Sequence, residues 1–379
     1  MTKTYFFYGT LSYPPLLERV LGRMPNMRPA FLDGYEPRTA RRNGEDQPFP
    51  ILVPSDLGVP GILIDTETSA EENRLAAYEG GYRLHAVEVV ADGTGGTTPA
   101  QVFMPDEGAW EVGEPWDIAE WAETWGELAT EAVEDTMASL ADLSFDEIYD
   151  RRDQMLVRAA ARVRARETSP ASLRRQAALT DVVVRERRSP YAKFFAVEDC
   201  DLQFRKFNGA FSAPMERAVF VSCDAAVVLP YDPLRDRVLL IEQFRVGPMA
   251  RGDGNPWLLE AIAGRVDALE SPEQTALREA EEEAHLTLKE LVPVAQYYSS
   301  PGAKTEYIYS YIGIADLDDQ AAAPGGLDEE GEDIRPHMIS FERMVELLDS
   351  GELNNSMVVI CAQALIRKRE ALRAQFGAA

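Results

Sequence analysis

The chain has 379 residues, and this length predicts two or three domains of roughly 150 residues each. Its hydrophobic fraction of 45% excludes a wholly disordered protein. The 38 basic and 64 acidic residues give a net charge of −26, so we expect neither nucleic acid nor an anionic membrane among its partners.

The three cysteines are far apart and show no CxxC spacing, which indicates neither a disulfide framework nor a thiolate metal site. No basic segment leads into an apolar stretch near the first residue. No window approaches the roughly 18 apolar residues that a membrane helix needs. We therefore expect a cytoplasmic protein.

Short apolar runs separated by proline and glycine characterise the first stretch of the chain. They lie at 4–8, 61–64, 84–90 and 100–104. Their length and spacing are typical of strands, so a β-rich domain is predicted over residues 1–113.

Residues 114–178 change to helical periodicity, and we interpret them as a helical linker. Ser144 and Glu147 form a capping box, which predicts that a second helix begins there. Apolar side chains recur three and four positions apart, as in an amphipathic helix, at Ile118, Trp121, Trp125, Leu128 and Ala132.

Charge divides this helical stretch into two parts. Residues 111–150 carry 13 acidic side chains and no Lys or Arg, whereas residues 151–175 carry eight Arg and only two acids. Helices of opposite charge could pair as an antiparallel hairpin, or both could simply present solvated faces in a spacer. The sequence leaves both interpretations open.

The last stretch, residues 179–379, mixes strands and helices and predicts a second domain. Strands are predicted at 182–184, 218–221, 225–229, 238–241 and 257–262, and helices at 272–284, 341–348 and 357–376. The whole chain is therefore expected to be of the α+β class.

An acidic helix in the last stretch carries the clearest chemical signal. Glu279, Glu282 and Glu283 stand at i, i+3 and i+4, so three carboxylates crowd one helix face. A divalent cation such as Mg²⁺ removes the repulsion between them and leaves coordination positions for phosphates. The alternative is a solvated glutamate-rich face.

The segment 264–286 resembles the Nudix box, GX5EX7REUXEEXGU, where U is an aliphatic residue. The matching positions are Gly264, Glu270, Arg278, Glu279, Glu282, Glu283 and Leu286. Two positions depart from it: Ala280 is a small version of the aliphatic residue, and His285 replaces a glycine. A histidine there is strained if the backbone has positive φ.

The Nudix resemblance implies a hydrolase for nucleoside diphosphates linked to another moiety. It implies Glu279 and Glu283 as the main metal ligands, with Glu282 and the Ala263 carbonyl assisting. It also implies an ion pair between Arg278 and Glu270. The expected cofactor is Mg²⁺, with Mn²⁺ as an alternative.

Flanking segments resemble the ADP-ribose pyrophosphatase group of that family. They are LLIEQFR at 239–245, WLLEAIAG at 257–264, SPG at 300–302 with Glu306, and EGEDI at 330–334. The resemblance implies an α/β/α sandwich over 179–379 and a homodimer with residues 194–207 at its interface. The implied reaction is hydrolysis of ADP-ribose to AMP and ribose 5-phosphate, with another nucleoside diphosphate sugar such as GDP-mannose as the alternative substrate.

The same resemblance suggests roles for individual side chains. Arg245 is expected to contact the diphosphate and Glu306 the ribose. Glu330 and Glu332 are expected to supply the catalytic base and a further metal contact, in either order. Phe244 and Trp257 are expected in the core rather than against a base.

The first stretch has a signal of its own, Tyr8-Gly9-Thr10-Leu11 after a strand. A glycine there lets main-chain N–H groups approach a ligand. Together with Glu79 in the segment YEGGY, this motif resembles the AIG2-like branch of the γ-glutamylcyclotransferase-like fold, a small β-barrel with helices.

That second resemblance implies that Glu79 moves a proton while the substrate's α-amine attacks its γ-carbonyl, releasing 5-oxoproline. Main-chain N–H groups of residues 8–11 would hold the oxyanion. The alternative is a module that only binds a small molecule or regulates the hydrolase. The pair of modules also resembles proteins associated with tellurite resistance, a phenotype that specifies no chemistry.

Overall fold

The computed structural model describes residues 3–91, 96–139, 143–167, 170–319 and 333–377. The chain forms two compact units: Met1–Ala177 with Ala192–Phe194, and Ala178–Tyr191 with Phe195–Ala379. The mixed α+β class expected from the sequence is confirmed. Across these ranges no helix is long and apolar enough to cross a membrane.

The first unit is built on a closed five-stranded barrel. Its strands are β1 (Thr4–Phe7), β2 (Arg28–Arg42), β3 (Glu45–Asp65), β4 (Tyr82–Ala91) and β5 (Thr97–Pro105), and β6 (Glu111–Pro115) adds to β2 outside the ring. They pair in the order β3-β1-β5-β4-β2, and β2 then pairs with β3 to close the ring. The β-rich domain expected here is thus a barrel.

Side-chain alternation along β1 separates two apolar clusters. Phe6 packs with the cluster of barrel residues that includes Val59 and Val102. Its neighbours Tyr5 and Phe7 belong to a second cluster with the surrounding helices. Successive side chains of a strand point to opposite faces, so one short strand contributes to both cores.

Six α-helices accompany the barrel in the described residues of the first unit. They are α1 (Pro14–Leu21), α2 (Ser69–Tyr78), α3 (Ile118–Trp121), α4 (Glu127–Ser139), α5 (Phe145–Asp150) and α6 (Arg152–Arg164). Helices α1 to α4 contribute to the second cluster, which includes Trp121 and Val133, so the segment predicted as a linker contributes to the core of this unit. The capping box predicted at Ser144 is confirmed.

The oppositely charged helices α4 and α6 do pair, and they run antiparallel. Arg166, just after α6, contacts Glu127 at 2.5 Å, and Arg162 contacts Glu131 at 2.8 Å. Arg158 lies 3.5 Å from Asp135. The residue numbers of the arginines increase along α6 while those of their acidic partners decrease along α4. This order confirms the antiparallel hairpin.

The second unit contains a seven-stranded mixed sheet. Its members are β10 (Ala225–Asp232), β11 (Arg237–Phe244), β12 (Trp257–Glu260), β13 (Ile262–Arg265), β14 (Glu290–Tyr298), β15 (Tyr307–Ile314) and β16 (Arg335–Ser340). The order is β12-β11-β10-β15-β14, with β13 on β10 and β16 on β11. A separate antiparallel sheet comprises β7 (Val182–Ala192), β8 (Ala196–Phe204) and β9 (Met215–Val221).

Helices cover both faces of the seven-stranded sheet. They are α8 (Pro272–Ala284) on one face and α9 (Phe341–Ser350) and α10 (Ser356–Phe376) on the other, and a short helix, α7 (Val246–Arg251), follows β11. Val228 and Leu239 pack toward α8, whereas their neighbours Val227 and Leu240 pack toward α9 and α10. This alternation produces the α/β/α sandwich that the sequence resemblance implied.

Candidate active sites

Helix α8 begins and ends at the residues that its sequence predicts. The Ser271 hydroxyl accepts from the Gln274 amide at 3.2 Å, and the Gln274 side chain accepts from the Ser271 amide at 2.8 Å. Pro272 occupies the first turn, where its missing N–H is not needed. Ala276 and Ala280 are fully buried on the sheet-facing side, which leaves the acidic residues along the flank.

Gly264 on β13 packs directly against that acidic flank. A β-carbon on residue 264 would lie 1.7 Å from Oε1 of Glu279. The glycine of the box is therefore required because the Glu279 carboxylate occupies the space where a side chain would begin.

Glu283 is the most buried of the three box carboxylates, with 2% of its surface exposed. Its Oε2 accepts a hydrogen bond from the Ala263 amide at 3.2 Å. The strand that carries Ala263 and the helix that carries Glu283 are thus linked at the point where both were expected to bind metal.

Arg278 holds the remaining acids of the box. Its Nε and Nη2 donate to the two carboxylate oxygens of Glu270 at 2.9 and 3.0 Å, which confirms the expected ion pair. Burial disfavours the charged carboxylate, but the guanidinium outweighs it and keeps the pKa of Glu270 below its usual range. Nη1 donates to Glu279 at 2.7 Å and to Glu282 at 2.8 Å.

The carboxylates around Arg278 are the candidate ligands for a divalent cation. Within the described ranges, no three His, Cys, Asp or Glu side chains stand close enough together to hold a metal ion. Two carboxylates nevertheless meet at one cationic nitrogen of Arg278, so this flank already accommodates positive charge. The donors are hard oxygens of the type that Mg²⁺ prefers, and the set fits such an ion chemically.

His285 ends α8 in the left-handed conformation, with φ 52° and ψ 37°. The positive φ that the box glycine would supply is therefore present, and a histidine adopts it under strain. The Leu286 amide continues past the bend to donate to the Ala280 carbonyl at 2.9 Å. The departure from the box leaves the helix end intact.

The flanking residues expected to contact substrate are held by ion pairs. Arg245 Nη2 lies 2.7 Å from Glu260, and Glu306 lies 2.7 Å from the Lys304 ammonium. Glu330 and Glu332 lie outside the described residues, so their expected roles stay predictions.

Phe244 and Trp257 correct one expectation, because they lie outside the core. They are 45% and 51% exposed. They face each other across the β11–β12 pair with ring centroids 5.6 Å apart. Strand β12 is an edge strand, which explains why its aromatic residue is only partly covered.

In the first unit, one cavity of about 370 Å³ collects the residues of the second motif. Tyr8, Gly9, Thr10 and Leu11 lie on its wall, and so does Glu79. Glu79 follows α2 as its C-terminal cap, with its amide bonded to the Leu75 carbonyl at 2.9 Å. Residues separated by most of the domain thus share one pocket, as the resemblance implied.

Burial dominates the titration of groups in this cavity. It raises the pKa of Glu79 to about 7, and it raises the pKa of Tyr78 to about 12. The pKa of Tyr8 is likewise raised by burial, well above its usual range. A carboxyl group with a pKa near 7 can both accept and donate a proton at neutral pH.

The sequence interpretation missed several residues that complete this wall. Arg152 and Tyr149 come from the helical stretch, and Arg42 and Phe49 come from the two long strands. Their only sequence signal was the arginine-rich start of α6, which we interpreted through charge pairing alone.

Comparisons with known proteins agree with both motifs. Residues 222–357 match the model of the NUDIX domain. Residues 5–127 match the model described as gamma-glutamyl cyclotransferase, AIG2-like.

Curated relatives match the second unit. An ADP-ribose pyrophosphatase of Escherichia coli (strain K12) is 38% identical over 197 residues, which cover 52% of this chain and 93% of that protein. One from Haemophilus influenzae (strain ATCC 51907 / DSM 11121 / KW20 / Rd) is 35% identical over 187 residues, 49% of this chain and 86% of its own. A GDP-mannose pyrophosphatase of Enterobacter sp. (strain 638) is 33% identical over 150 residues, 40% of this chain and 77% of its own.

Both resemblances inferred from the sequence are confirmed by these matches. Because a relative with 38% identity is covered over 93% of its length, the chain belongs to the Nudix family of hydrolases, and it carries an AIG2-like γ-glutamylcyclotransferase domain ahead of the Nudix domain.

Proposed function

We propose that the Nudix domain hydrolyses ADP-ribose to AMP and ribose 5-phosphate. The observation that carries this proposal is the acidic flank of α8, where the Glu279 carboxylate packs on Gly264 and Glu283 is linked to Ala263. Relatives named ADP-ribose pyrophosphatase support the choice of substrate.

The residues that would hold Mg²⁺, or Mn²⁺ in its place, are Glu279 and Glu283, with Glu282 and the Ala263 carbonyl assisting. Bound there, the cation would neutralise diphosphate charge and lower the pKa of a coordinated water. Because the chain carries a net charge of −26, a local positive charge is needed before a diphosphate can bind.

The chain's own residues would then position the substrate. Arg245, whose guanidinium also contacts Glu260, binds a diphosphate oxygen. Glu306 accepts a ribose hydroxyl. Glu330 or Glu332 takes the proton of the attacking water, and the other assists at the metal.

The test compares two variants on one helix. Glu279→Gln removes a proposed ligand charge, whereas Glu281→Gln removes a charge from the exposed side of α8. We expect Glu279→Gln to lose at least about 100-fold of Mg²⁺-dependent activity and Glu281→Gln to keep it. Equal activity in both variants would contradict the metal assignment.

A panel of nucleoside diphosphate sugars, with product identification, tests the substrate. Preferred cleavage of ADP-ribose supports the proposal. Preferred cleavage of GDP-mannose would instead favour the substrate named for the Enterobacter relative.

A second activity is proposed for the first unit, because Glu79 and residues 8–11 line one cavity. The substrate's α-amine attacks its γ-carbonyl, a ring C–N bond forms, and the γ-amide C–N bond breaks. Glu79 takes the proton from the α-amine and returns it to the leaving amine, so 5-oxoproline and a free amine result. If the wild type releases no 5-oxoproline from γ-glutamyl compounds, the unit acts as a binding or regulatory module instead.

Two further proposals concern the oligomeric state and the cellular location of the protein. We propose a homodimer formed through the second unit with residues 194–207 at its interface, because Phe204 and Phe207 in that stretch are 42% and 96% exposed. Light scattering of the purified protein tests it. We also propose a cytoplasmic location, which accords with three cysteines that form no disulfide, Cys200, Cys223 and Cys361.

A further inference from the structure

The cavity of the first unit contains a positive charge that the proposed ring-closing chemistry does not use. Arg152, the first residue of α6, lines this cavity together with Glu79. The match to the AIG2-like family model ends at residue 127. A residue from outside the matched domain therefore forms part of the pocket wall.

Among the described residues, the Arg152 guanidinium has neither a hydrogen bond nor an ion pair, and its Cζ lies 5.4 Å from the centroid of the Phe49 ring. Burial lowers its pKa, and this effect outweighs Asp153 and the neighbouring tyrosines, which raise it. Its place at the start of α6 also puts it at the positive end of the helix dipole. Both effects destabilise the cation, and an anion bound beside it would offset both.

Two tyrosines, Tyr78 and Tyr82, line the same cavity as this cation and Glu79. Burial is the largest cause of the raised pKa of both Tyr78 and Tyr82, Glu79 raises it further, and Arg152 lowers it. Each ring therefore lies within electrostatic range of both charges. The Tyr82 hydroxyl is buried and has no hydrogen-bond partner in the described part of the chain.

The two charges do not neutralise each other, because Glu79 and Arg152 form no ion pair in the part of the chain that the structure describes. A cavity of about 370 Å³ thus presents a proton-accepting group, an unused hydroxyl and an unpaired cation. That size suits a small metabolite. The arrangement matches a ligand with an amine and a carboxylate close together.

We propose that Arg152 binds the free carboxylate of a small amino-acid-derived ligand in this cavity, with Glu79 facing the ligand's amine. Helix α6 is then part of the binding site. The identity of the amine rests on the proposed cyclotransferase activity, whereas the carboxylate contact does not depend on it.

Two probes that differ by one group test the carboxylate contact. 5-Oxoproline and 2-pyrrolidinone share the lactam ring, and only the first carries a carboxylate. Calorimetric titration of the full chain is expected to show 5-oxoproline binding roughly 10- to 100-fold more tightly, the range of one charge-assisted contact.

A set of arginine variants distinguishes loss of the Arg152 charge from a general disturbance of α6. Arg152→Gln is expected to remove the preference for 5-oxoproline, and Arg152→Lys to retain part of it. Arg166→Gln, beyond the end of the same helix and outside the cavity, is expected to leave it unchanged. Arg42→Gln removes a second, exposed arginine of the wall, whose guanidinium lies over the Tyr149 ring.

Three results would overturn the proposal. They are equal binding of both probes by the wild type, no binding of 5-oxoproline at all, and loss of the preference in Arg42→Gln rather than in Arg152→Gln. The proposed activity can fail separately: if the wild type releases no 5-oxoproline from γ-glutamylalanine but binds 5-oxoproline through Arg152, the site is a carboxylate-binding module.

Discussion

The Glu279 carboxylate lies where a β-carbon on residue 264 would have to be, 1.7 Å from its Oε1 atom. The glycine and the glutamate of the Nudix box are therefore parts of one close contact between β13 and α8. The carboxylate cannot keep its position if residue 264 gains a side chain.

Gly264→Ala should accordingly disable the hydrolase without unfolding the sandwich. The Glu279 side chain must move by more than an ångström, and displacements of that size cost about 100-fold in rate. The measurement is Mg²⁺-dependent hydrolysis of ADP-ribose together with circular dichroism. Gly254→Ala is the control, because no atom lies within 4 Å of the added methyl group there.

His285→Gly should stabilise the second unit. A non-glycine residue with φ 52° carries steric strain of about 1 kcal/mol that glycine does not. Urea denaturation should show an increase of roughly that size in the free energy of unfolding.

His285→Ala is the matched control for that experiment, because alanine keeps a β-carbon and hence the strain. A gain of equal size in both variants would mean that the imidazole itself is unfavourable. The backbone interpretation would then be wrong.

Glu79 should make the stability of the first unit depend on pH. Its pKa is about 7 in the folded state against 4.5 in a model compound. The folded state therefore binds more protons between these values, so stability falls as pH rises from 5 to 7 and stays low above 7. We expect a difference on the order of 2 kcal/mol between pH 5 and pH 8, which Glu79→Gln abolishes.

The rate of 5-oxoproline release should change with pH in the opposite direction. Glu79 must be ionised to take a proton from the α-amine, so the rate should rise through pH 7. A rate that is flat from pH 6 to pH 8 would exclude Glu79 as the base.

The ion pairs between α4 and α6 should contribute measurably to stability. Arg162 contacts Glu131 at 2.8 Å and Asp135 at 3.3 Å, and all three side chains are more than 70% buried. We expect Arg162→Ala to cost about 1 kcal/mol, and a double-mutant cycle with Glu131→Ala to give a coupling that decreases in 1 M NaCl, where screening acts over about 3 Å.

Arg83→Ala provides the comparison, since Arg83 pairs with Asp106 in the open, where the side chains are 73% and 55% exposed. Its loss should change stability by less than about 0.5 kcal/mol. Equal losses in the two variants would mean that the pairing of the helices is incidental.

The sequence predicted some elements well because their ends carry local chemistry. The helical pattern predicts α8 over its observed range, and the structure shows a capping box and a proline at its start. The strands β2 and β3, which span Arg28–Arg42 and Glu45–Asp65, were mostly missed because glycine and proline interrupt them. Asn43 and Gly44, both with positive φ, carried a hairpin signal that we did not use.

The two candidate sites also differ in how far the sequence predicts them. The acids of α8 follow helical spacing, so their common flank could be predicted from residue number alone. The cavity of the first unit depends on barrel closure and on helix packing. Arg152 and Glu79 line the same cavity only because of the tertiary structure. Their positions in the sequence give no sign that they are close in space.

The assignment of residues to the two compact units has a consequence for how the gene can be divided. Ala192–Phe194 belong to the first unit although Ala178–Tyr191 belong to the second. Arg151 donates to the Ala192 carbonyl at 3.0 Å. A stop codon after residue 177 would therefore delete a segment that the upstream module uses, and a single cut at that point does not yield two complete modules.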